Sequence, residues 1–286
     1  MPSVKSNMDD LTIGVVGAGL IGGSIALAAQ KAGFSVVVHD RHQSTTGLEL
    51  TAGTRWASTI KEVALASDLI FIATPISATV AAAEALLIQI RPDTIVSEVA
   101  SAKQEIAPEL FRVLSPRCTY IPTHPMAGSE RSGWEAAHAE LFQGAVTIVC
   151  DDFCADPNAA AVMRNFWERL GSKTISLDVI THDRLVAAVS HLPHLLASIL
   201  VTDIAESFEP AFQVAGRGFR DLTRIASGSP SLWTEILVAN RSELLNHLQR
   251  FRSRLDEAIQ LLQTNDAKSL QALLNAAKRN RDKLIG

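Results

Sequence analysis

Short apolar runs alternate with longer helical patterns over the first part of the chain. The runs are typical of strands buried on both faces, and they cover residues 11–16, 34–38, 68–73, 94–99, 118–122, 146–149 and 173–177. Helical patterns lie between them, at about 20–32, 77–90, 103–114 and 156–170. Strands that alternate with helices favour a parallel sheet covered on both faces. We therefore predict an α/β domain over residues 1–177.

The pattern changes near Asp178, and only helical patterns follow it. They cover about 181–206, 211–216, 230–262 and 267–284, with Asn265 and Asp266 as a cap for the last. The helix that starts near Thr181 is apolar on nearly every face and must be buried. Because a helical region of about 110 residues has little interior, we predict that residues 178–286 form an all-helical domain that joins two copies as a homodimer.

Composition excludes several classes of protein. A net charge of −4 without a basic stripe argues against a nucleic-acid partner. The N-terminus lacks the apolar core of a signal peptide, and no uninterrupted apolar run reaches the length of a membrane span. The cysteines Cys118, Cys150 and Cys154 suit neither a disulfide framework nor a metal site. We expect a cytoplasmic protein with no membrane contact and no bound metal.

A glycine-rich turn gives the strongest chemical signal. The first predicted strand leads into Gly17-Ala-Gly-Leu-Ile-Gly22, a helical pattern follows, and the next strand ends at Asp40. This order of strand, turn, helix, strand and acid is the dinucleotide-binding fingerprint in its full context. The sequence therefore predicts a Rossmann domain that binds a nicotinamide dinucleotide.

Each residue of this turn has a separate task. Gly17 permits the tight turn, Gly19 lets backbone N–H groups approach the pyrophosphate, and Gly22 lets helix and strand pack closely. Leu20 and Ile21 then open the helix, whose N-terminus attracts the phosphates.

The acid at the end of the second strand favours NAD. The Asp40 carboxylate can accept hydrogen bonds from both ribose hydroxyls, and it would repel the 2′-phosphate of NADP. Arg41 weakens this preference, because a guanidinium could stack on adenine or meet a phosphate, so NADP stays open. Thr74 and Pro75 stop the strand at 68–73, and we expect them to border the same cofactor.

Two polar segments follow predicted strands, at 98–103 and 123–133, and should border the nicotinamide. In the second, prolines on both sides restrict the backbone around His124. An imidazole with an ordinary pKa near 6.5 suits the acceptance of an alcohol proton as hydride leaves the carbon. In the first, Ser101 could bond to the substrate hydroxyl or to the imidazole, or could cap the next helix.

The helical region adds a second set of polar residues. His191 and His194 lie three residues apart in an apolar helix, and buried imidazoles need partners. Backbone groups, a substrate or a metal could serve, although the spacing supplies no third metal ligand. Arg224 suits a bidentate clamp for a carboxylate, and Trp233 suits helix packing.

The chain resembles the prephenate/arogenate dehydrogenases from about residue 11 to 284. The resemblance rests on five segments in the family's order: Gly17-Ala-Gly-Leu-Ile-Gly-Gly-Ser24, Ala100-Ser-Ala-Lys103, His124-Pro-Met-Ala-Gly-Ser-Glu130, Ser190-His-Leu-Pro-His194 and Gly218-Phe-Arg-Asp-Leu-Thr-Arg224. It implies NAD(P)-dependent oxidative decarboxylation of a cyclohexadiene in tyrosine biosynthesis. It also implies a Rossmann domain followed by an all-helical dimerisation domain.

The resemblance also implies roles for individual residues. His124 would accept the hydroxyl proton with support from Ser101, and Arg224 would bind a substrate carboxylate. The other residues expected at the substrate are Ser129, Glu130, His191, His194 and Trp233.

The choice of substrate stays open at this stage. Prephenate carries a keto side chain and arogenate an amino one. Glu130 matches a position that is acidic in some prephenate-using relatives, yet a carboxylate could equally attract an ammonium. His194 replaces an apolar residue of some arogenate-specific relatives, which favours prephenate or dual use over strict arogenate use.

Two other functions stay open. A β-hydroxyacid-type dehydrogenase would have a similar architecture, but it usually relies on a lysine on a helix of the second domain, and the chain has none between Lys173 and Lys268. A non-catalytic NAD sensor would keep Gly17, Gly19 and Asp40 without any need for His124 or Arg224.

Overall fold

A six-stranded parallel sheet forms the centre of the first part of the chain. The computed structural model describes residues 8–42 and 54–285. The strands are β1 (Thr12–Val16), β2 (Ser35–His39), β3 (Thr54–Trp56), β4 (Leu69–Ile72), β5 (Ile95–Glu98) and β6 (Thr119–Tyr120). Their spatial order is β3-β2-β1-β4-β5-β6, and every neighbouring pair is parallel. The predicted α/β fold is confirmed. The short β3 was not predicted.

A second sheet of three strands corrects part of the prediction. Its strands are β7 (Thr123–Met126), β8 (Val146–Val149) and β9 (Lys173–Ser176), in that order. We expected residues 123–133 to form a loop and the last two strands to join the parallel sheet. Instead, β7 pairs antiparallel with β8, and β8 pairs parallel with β9. Pro125 suggested a loop, but a strand tolerates a residue without an N–H at the edge of a sheet.

Within the residues that the structure describes, five α-helices accompany these strands. They are α1 (Leu20–Lys31), α2 (Ile60–Ala66), α3 (Ile76–Leu87), α4 (Ala107–Leu114) and α5 (Pro157–Arg169). The last is capped by Asp156, whose carboxylate accepts a hydrogen bond from the Asn158 N–H. Helix α2 was not predicted, and α4 begins later than the predicted residue 103. Ser101 therefore does not cap α4.

The core has two apolar layers, one on each face of the parallel sheet. Because successive residues of a strand point to opposite faces, Phe71 packs in one layer, and Ile70 and Ile72 in the other. The ring of Phe71 stacks on Phe166 of α5, with centroids 4.8 Å apart. These layers fix the carboxyl ends of β1, β4 and β5, where the candidate site lies.

The described chain after β9 has helices and no strand, as predicted. The helices are α6 (Val179–Val186), α7 (Leu192–Ser207), α8 (Arg217–Thr223), α9 (Pro230–Ala239), α10 (Arg241–Gln263) and α11 (Ala267–Ile285). The predicted helix over 230–262 is interrupted at Asn240. The predicted cap of α11 is present, since Oδ1 of Asp266 accepts a hydrogen bond from the Ser269 N–H. Residues 1–241 form one compact unit and residues 242–286 a second.

One continuous helical stretch is long and apolar. A π-helical turn at Ala187–His191 joins α6 to α7, so that Val179–Ser207 is unbroken. By length and composition alone it could cross a membrane, since one 18-residue window within it has a mean hydropathy of 1.7. The stretch is not an uninterrupted apolar run, because His182, Asp183 and Arg184 lie within it. Ile180 and Val189 are exposed on this chain.

Candidate active site

A cleft of about 690 Å³ brings most of the predicted site residues together. Its walls come from the glycine-rich turn, the ends of β4 and β5, β7 with its following loop, and the helices from α7 to α9. The predicted residues that line it are Gly19, Leu20, Ile21, Thr74, Pro75, Ser101, His124, Ser129, Glu130, His194, Arg224 and Trp233. Gly17, Gly22, Asp40, Arg41 and His191 lie outside this lining.

The glycine-rich turn has the shape that a dinucleotide requires. Gly17 has a φ of +96°, and a β-carbon there would lie 2.7 Å from the Ala73 carbonyl oxygen. A β-carbon on Gly22 would clash with the carbonyl oxygen of Gly17. By contrast, the space beside Gly19 is open, with no atom within 4 Å of a β-carbon placed there. The turn is therefore packed against the protein on one side and free for a ligand on the other.

Asp40 lies against this turn. Its Oδ2 accepts a hydrogen bond of 2.7 Å from the Ala18 N–H, and its Oδ1 accepts one of 2.8 Å from the His42 N–H. Two backbone donors thus hold the carboxylate at the end of β2 with lone pairs left for further donors. Arg41 is exposed in the next turn. This arrangement suits the ribose that follows the pyrophosphate in NAD.

His124 lies on β7 and is joined to a second histidine. Its Nδ1 is 2.9 Å from Nε2 of His182, and Nδ1 of His182 is 2.7 Å from Oδ1 of Asp183. The His124 ring is only 7% exposed, and it borders the cleft. Among the described residues its Nε2 has no hydrogen-bond partner, so this nitrogen is available to a ligand in the cleft.

Asp183 also holds the loop that carries Ser101. Its two carboxylate oxygens accept hydrogen bonds of 2.8 Å from the N–H groups of Lys103 and Gln104. Ser101 lines the cleft but makes no hydrogen bond to His124. The predicted contact between Ser101 and the imidazole is therefore absent, and His182 occupies that position instead.

A buried ion pair supports the same two segments. Lys103 Nζ lies 2.6 Å from Oε1 of Glu98 and donates a second hydrogen bond of 2.6 Å to the Thr123 carbonyl. The other oxygen of Glu98 accepts a hydrogen bond from the Ala100 N–H. The pair thus connects the loop before Ser101 with the strand residue before His124.

Electrostatics keep the histidines neutral. Burial lowers the pKa of His124 well below its ordinary range, and the neighbouring His182, Lys103 and His191 lower it further. Burial also lowers the pKa of His182, against the opposing hydrogen bond to Asp183. A neutral imidazole in contact with the cleft can accept a proton at neutral pH.

His191 does not line the cleft, contrary to the prediction. It is fully buried, and its Nδ1 lies 3.1 Å from Nδ2 of Asn240, which also donates to the Asp183 carbonyl. The amide can only donate at these positions, so the proton of His191 is on Nε2. Burial lowers the pKa of His191 to about 4. His191 therefore contacts Asn240 in the interior and is not part of the wall of the cleft.

His194 and Trp233 form one wall of the cleft. Their rings stack face to face, with centroids 3.5 Å apart and planes 12° from parallel. The stack presents an aromatic edge from α7 and α9 to the cleft. Both residues therefore lie where the prediction placed them.

Arg224 faces the loop after β7. Its Nη1 lies 2.8 Å from Oε2 of Glu130, and both side chains are partly exposed. The hydroxyl of Ser129 bonds within the same loop, to the backbone of Arg131. The Arg224 guanidinium has further N–H groups that can bind a carboxylate in the cleft.

Sequence reasoning missed the residues behind His124. His182 and Asp183 are neighbours at the start of an apolar helix, where polar residues usually face solvent. Glu98 and Lys103 lie on either side of Ser101 in the sequence. Two opposite charges that flank the loop after a predicted strand were the pattern from which this ion pair could have been predicted. The contact between His124 and His182 spans 58 residues, a distance that no local pattern reveals.

Comparison with known proteins agrees with this geometry. Family models described as "Prephenate dehydrogenase, nucleotide-binding domain" and "Prephenate dehydrogenase, dimerization domain" match residues 25–176 and 178–276. The chain belongs to the prephenate dehydrogenase family.

Relatives in the prephenate dehydrogenase family carry more than one name. A prephenate dehydrogenase of Bacillus subtilis is 33% identical over 285 residues, which cover 96% of this chain and 76% of that protein. A cyclohexadienyl dehydrogenase of Zymomonas mobilis is 30% identical, with 84% of each chain covered. The crystal structure of Synechocystis arogenate dehydrogenase has 31% identity and a TM-score of 0.81, with 96% of this chain and 99% of that chain covered.

Proposed function

We propose that this member of the family catalyses the NAD-dependent oxidative decarboxylation of prephenate, alone or together with arogenate, and that prephenate yields 4-hydroxyphenylpyruvate in tyrosine biosynthesis. One observation carries the proposal: a single cleft joins the glycine-rich turn, the available nitrogen of His124 and the guanidinium of Arg224. The proposed cofactor site, general base and carboxylate-binding group thus border the same cleft. A non-catalytic NAD sensor would need neither of the last two.

The glycine-rich turn would hold NAD. Gly17, Gly19 and Gly22 shape the turn for the pyrophosphate, with the N–H groups at Leu20 and Ile21 next to it. Asp40 would bind the ribose hydroxyls with Arg41 beside it, and Thr74 and Pro75 would border the nicotinamide. When bound, NAD accepts the hydride from the hydroxyl-bearing carbon of the substrate.

His124 would take the proton of the substrate hydroxyl at Nε2. As the carbon–hydrogen bond breaks, the ring carboxylate leaves as carbon dioxide, and its bonding electrons complete the aromatic ring. The ring oxygen can then recover the proton from His124. Ser101 would hydrogen-bond to the substrate hydroxyl, since it lines the cleft without contacting the imidazole.

Arg224 would bind a carboxylate of the substrate. The stacked rings of His194 and Trp233 would border the ring and side chain, and Ser129 and Glu130 would close the opposite side. The keto side chain of prephenate has no positive charge for Glu130 to attract, whereas arogenate carries an ammonium there. His194 is the feature that favours prephenate or dual use.

The assembly follows from the same family. We propose a homodimer formed by an all-helical domain of residues 178–286, after an NAD(P)-binding domain of residues 1–177. The exposed apolar side chains of Ile180, Leu185 and Ile199 on the long helical stretch support burial against a second copy. An enzyme of amino-acid biosynthesis with these features is expected in the cytoplasm.

The direct test is steady-state kinetics with both substrates and both nicotinamides. Purified protein is mixed with NAD or NADP and with prephenate or arogenate, and the absorbance of the reduced nicotinamide is followed. Turnover of prephenate with NAD supports the proposal, and turnover of arogenate alone would replace it with a strict arogenate dehydrogenase. No turnover with either substrate would reject the enzymatic proposal.

A variant of the proposed base tests its role. His124→Asn should lower kcat by about 10²- to 10⁴-fold, the usual effect of losing a general base, and should leave the Kd of NAD unchanged. The matched control is His138→Asn, an imidazole that is half exposed and lies outside the cleft lining. A loss of NAD affinity in His124→Asn would move this residue from the substrate to the cofactor.

A further inference from the structure

Asp183 is an acceptor at both carboxylate oxygens. Backbone N–H groups can only donate, and those of Lys103 and Gln104 point at Oδ1 and Oδ2 over 2.8 Å. Oδ1 is also 2.7 Å from Nδ1 of His182. Because a carboxylate can only accept, His182 carries its proton on Nδ1.

The proton on His182 determines the proton on His124. A neutral His182 with hydrogen on Nδ1 has a lone pair on Nε2, and this nitrogen lies 2.9 Å from Nδ1 of His124. Two ring nitrogens at that distance need one donor and one acceptor. His124 must therefore donate from Nδ1, which leaves the lone pair on its Nε2, at the cleft.

The surroundings oppose the reversed arrangement. A doubly protonated His182 would donate to His124 and turn the acceptor of His124 away from the cleft. His182 is fully buried, and burial and the ammonium of Lys103 disfavour its cation, although Asp183 and Glu98 favour it. His191, the third imidazole nearby, carries its proton on Nε2 by its contact with Asn240.

We propose that Asp183 and His182 are positioning residues that fix the tautomer of His124, so that Nε2 of His124 is the proton acceptor of the reaction. This proposal rests on the proposed function, because it gives the direction in which the base acts. Asp183 does not line the cleft and works through His182. When His124 takes up a proton, the new cation is one hydrogen bond from His182 and two from the Asp183 carboxylate.

The tautomers of His124 and His182 can be determined by NMR in the absence of substrate. Long-range proton–nitrogen NMR correlations of the ¹⁵N-histidine-labelled protein distinguish protonated from unprotonated ring nitrogens, and His124→Asn and His182→Gln assign the two signals among eight histidines. At neutral pH we expect both rings to carry hydrogen on Nδ1 only. Hydrogen on Nε2 of His124 would overturn the proposal, even if the enzyme is active. The spectrum also tests the tautomer if neither substrate is turned over.

Two variants of His182 separate positioning from packing. His182→Gln can place an amide oxygen where Nε2 stands and keep an acceptor for His124. His182→Leu fills similar space and offers no acceptor. We expect His182→Leu to lower kcat by about 10²-fold or more, within the range for general bases, with KM and NAD affinity changed little. His182→Gln should keep most of the wild-type kcat.

The kcat values of the two His182 variants, taken together, test the proposed positioning role. Equal losses of kcat in the two variants would overturn the proposal, as would a His182→Leu enzyme with wild-type kcat. If His182→Leu does not fold, the wild-type spectrum and the kcat of His182→Gln still test it: a His182→Gln enzyme that folds and binds NAD but has lost kcat contradicts the proposal.

Discussion

The ammonium nitrogen of Lys103 lies 2.6 Å from Oε1 of Glu98, and neither side chain has any exposure to solvent. Removing one partner of such a pair leaves an uncompensated buried charge, which costs about 3–5 kcal/mol. Lys103→Met should therefore lower the free energy of unfolding by about that amount in urea denaturation. The double variant Glu98→Gln/Lys103→Met should recover part of the loss, because no buried charge remains.

The matched control for Lys103 is Lys31→Met. Lys31 pairs with Glu140 over 2.7 Å, but both side chains are more than half exposed, and such pairs contribute little to stability because solvent screens them. Equal losses in Lys103→Met and Lys31→Met would mean that the buried pair does not stabilise the loop around Ser101.

The sequence was sufficient for the parallel strands β1, β2, β4, β5 and β6 and for the glycine-rich turn, because these follow local rules. β1, α1 and β2 are successive segments, with the glycine-rich turn between β1 and α1 and Asp40 at the end of β2, and Thr74 follows β4. By contrast, the three residues of β3 are too few to show the pattern of a strand, and the proline in β7 favoured a loop at that position. The edge position that makes this proline acceptable is a property of the sheet, not of the segment.

The substrate side could be predicted only in part. His194, Arg224 and Trp233 line the cleft as expected, whereas His191 faces Asn240 in the interior. Two histidines three residues apart on a helix point in directions that differ by most of a right angle. Which of them faces the cleft depends on packing against α9, and no periodicity contains that information.

His191 makes stability depend on pH. Its pKa is about 4 in the folded protein and about 6.5 in the unfolded chain, so the unfolded chain binds the proton first as pH falls. Its contribution is therefore intact above pH 6.5 and is lost progressively toward pH 4. Between pH 7 and pH 5 the loss should be about 2 kcal/mol.

His191→Asn isolates this effect. The amide oxygen can replace Nδ1 as an acceptor for Asn240, and it does not titrate, so the fall in unfolding free energy between pH 7 and pH 5 should shrink by about 2 kcal/mol. His42→Asn, at an exposed turn residue, should follow the wild-type curve. Parallel curves for His191→Asn and wild type would contradict the assignment.

Asp40 should determine the choice between NAD and NADP. Losing hydrogen bonds from a charged group costs about 1.5–3 kcal/mol, so Asp40→Ser should raise the KM of NAD by about 10- to 100-fold. The KM of NADP should fall, because the repulsion of the 2′-phosphate is removed. The kcat with saturating cofactor serves as the internal control, since Asp40 lies outside the cleft lining. An unchanged ratio of the two KM values would assign the preference to Arg41 instead.

The ion pair between Arg224 and Glu130 should distinguish the two substrates. If Arg224 binds a substrate carboxylate, Glu130 competes for the guanidinium, and because the pair is exposed to solvent its removal should have a small effect. Glu130→Gln should therefore lower the KM of prephenate by up to about 5-fold. If Glu130 attracts the ammonium of arogenate, the same variant should raise the KM of arogenate. Glu140→Gln, which removes an exposed carboxylate outside the cleft lining, should leave both values unchanged. Equal shifts of the two KM values would mean that Glu130 acts only through Arg224 and does not distinguish the keto side chain of prephenate from the amino side chain of arogenate.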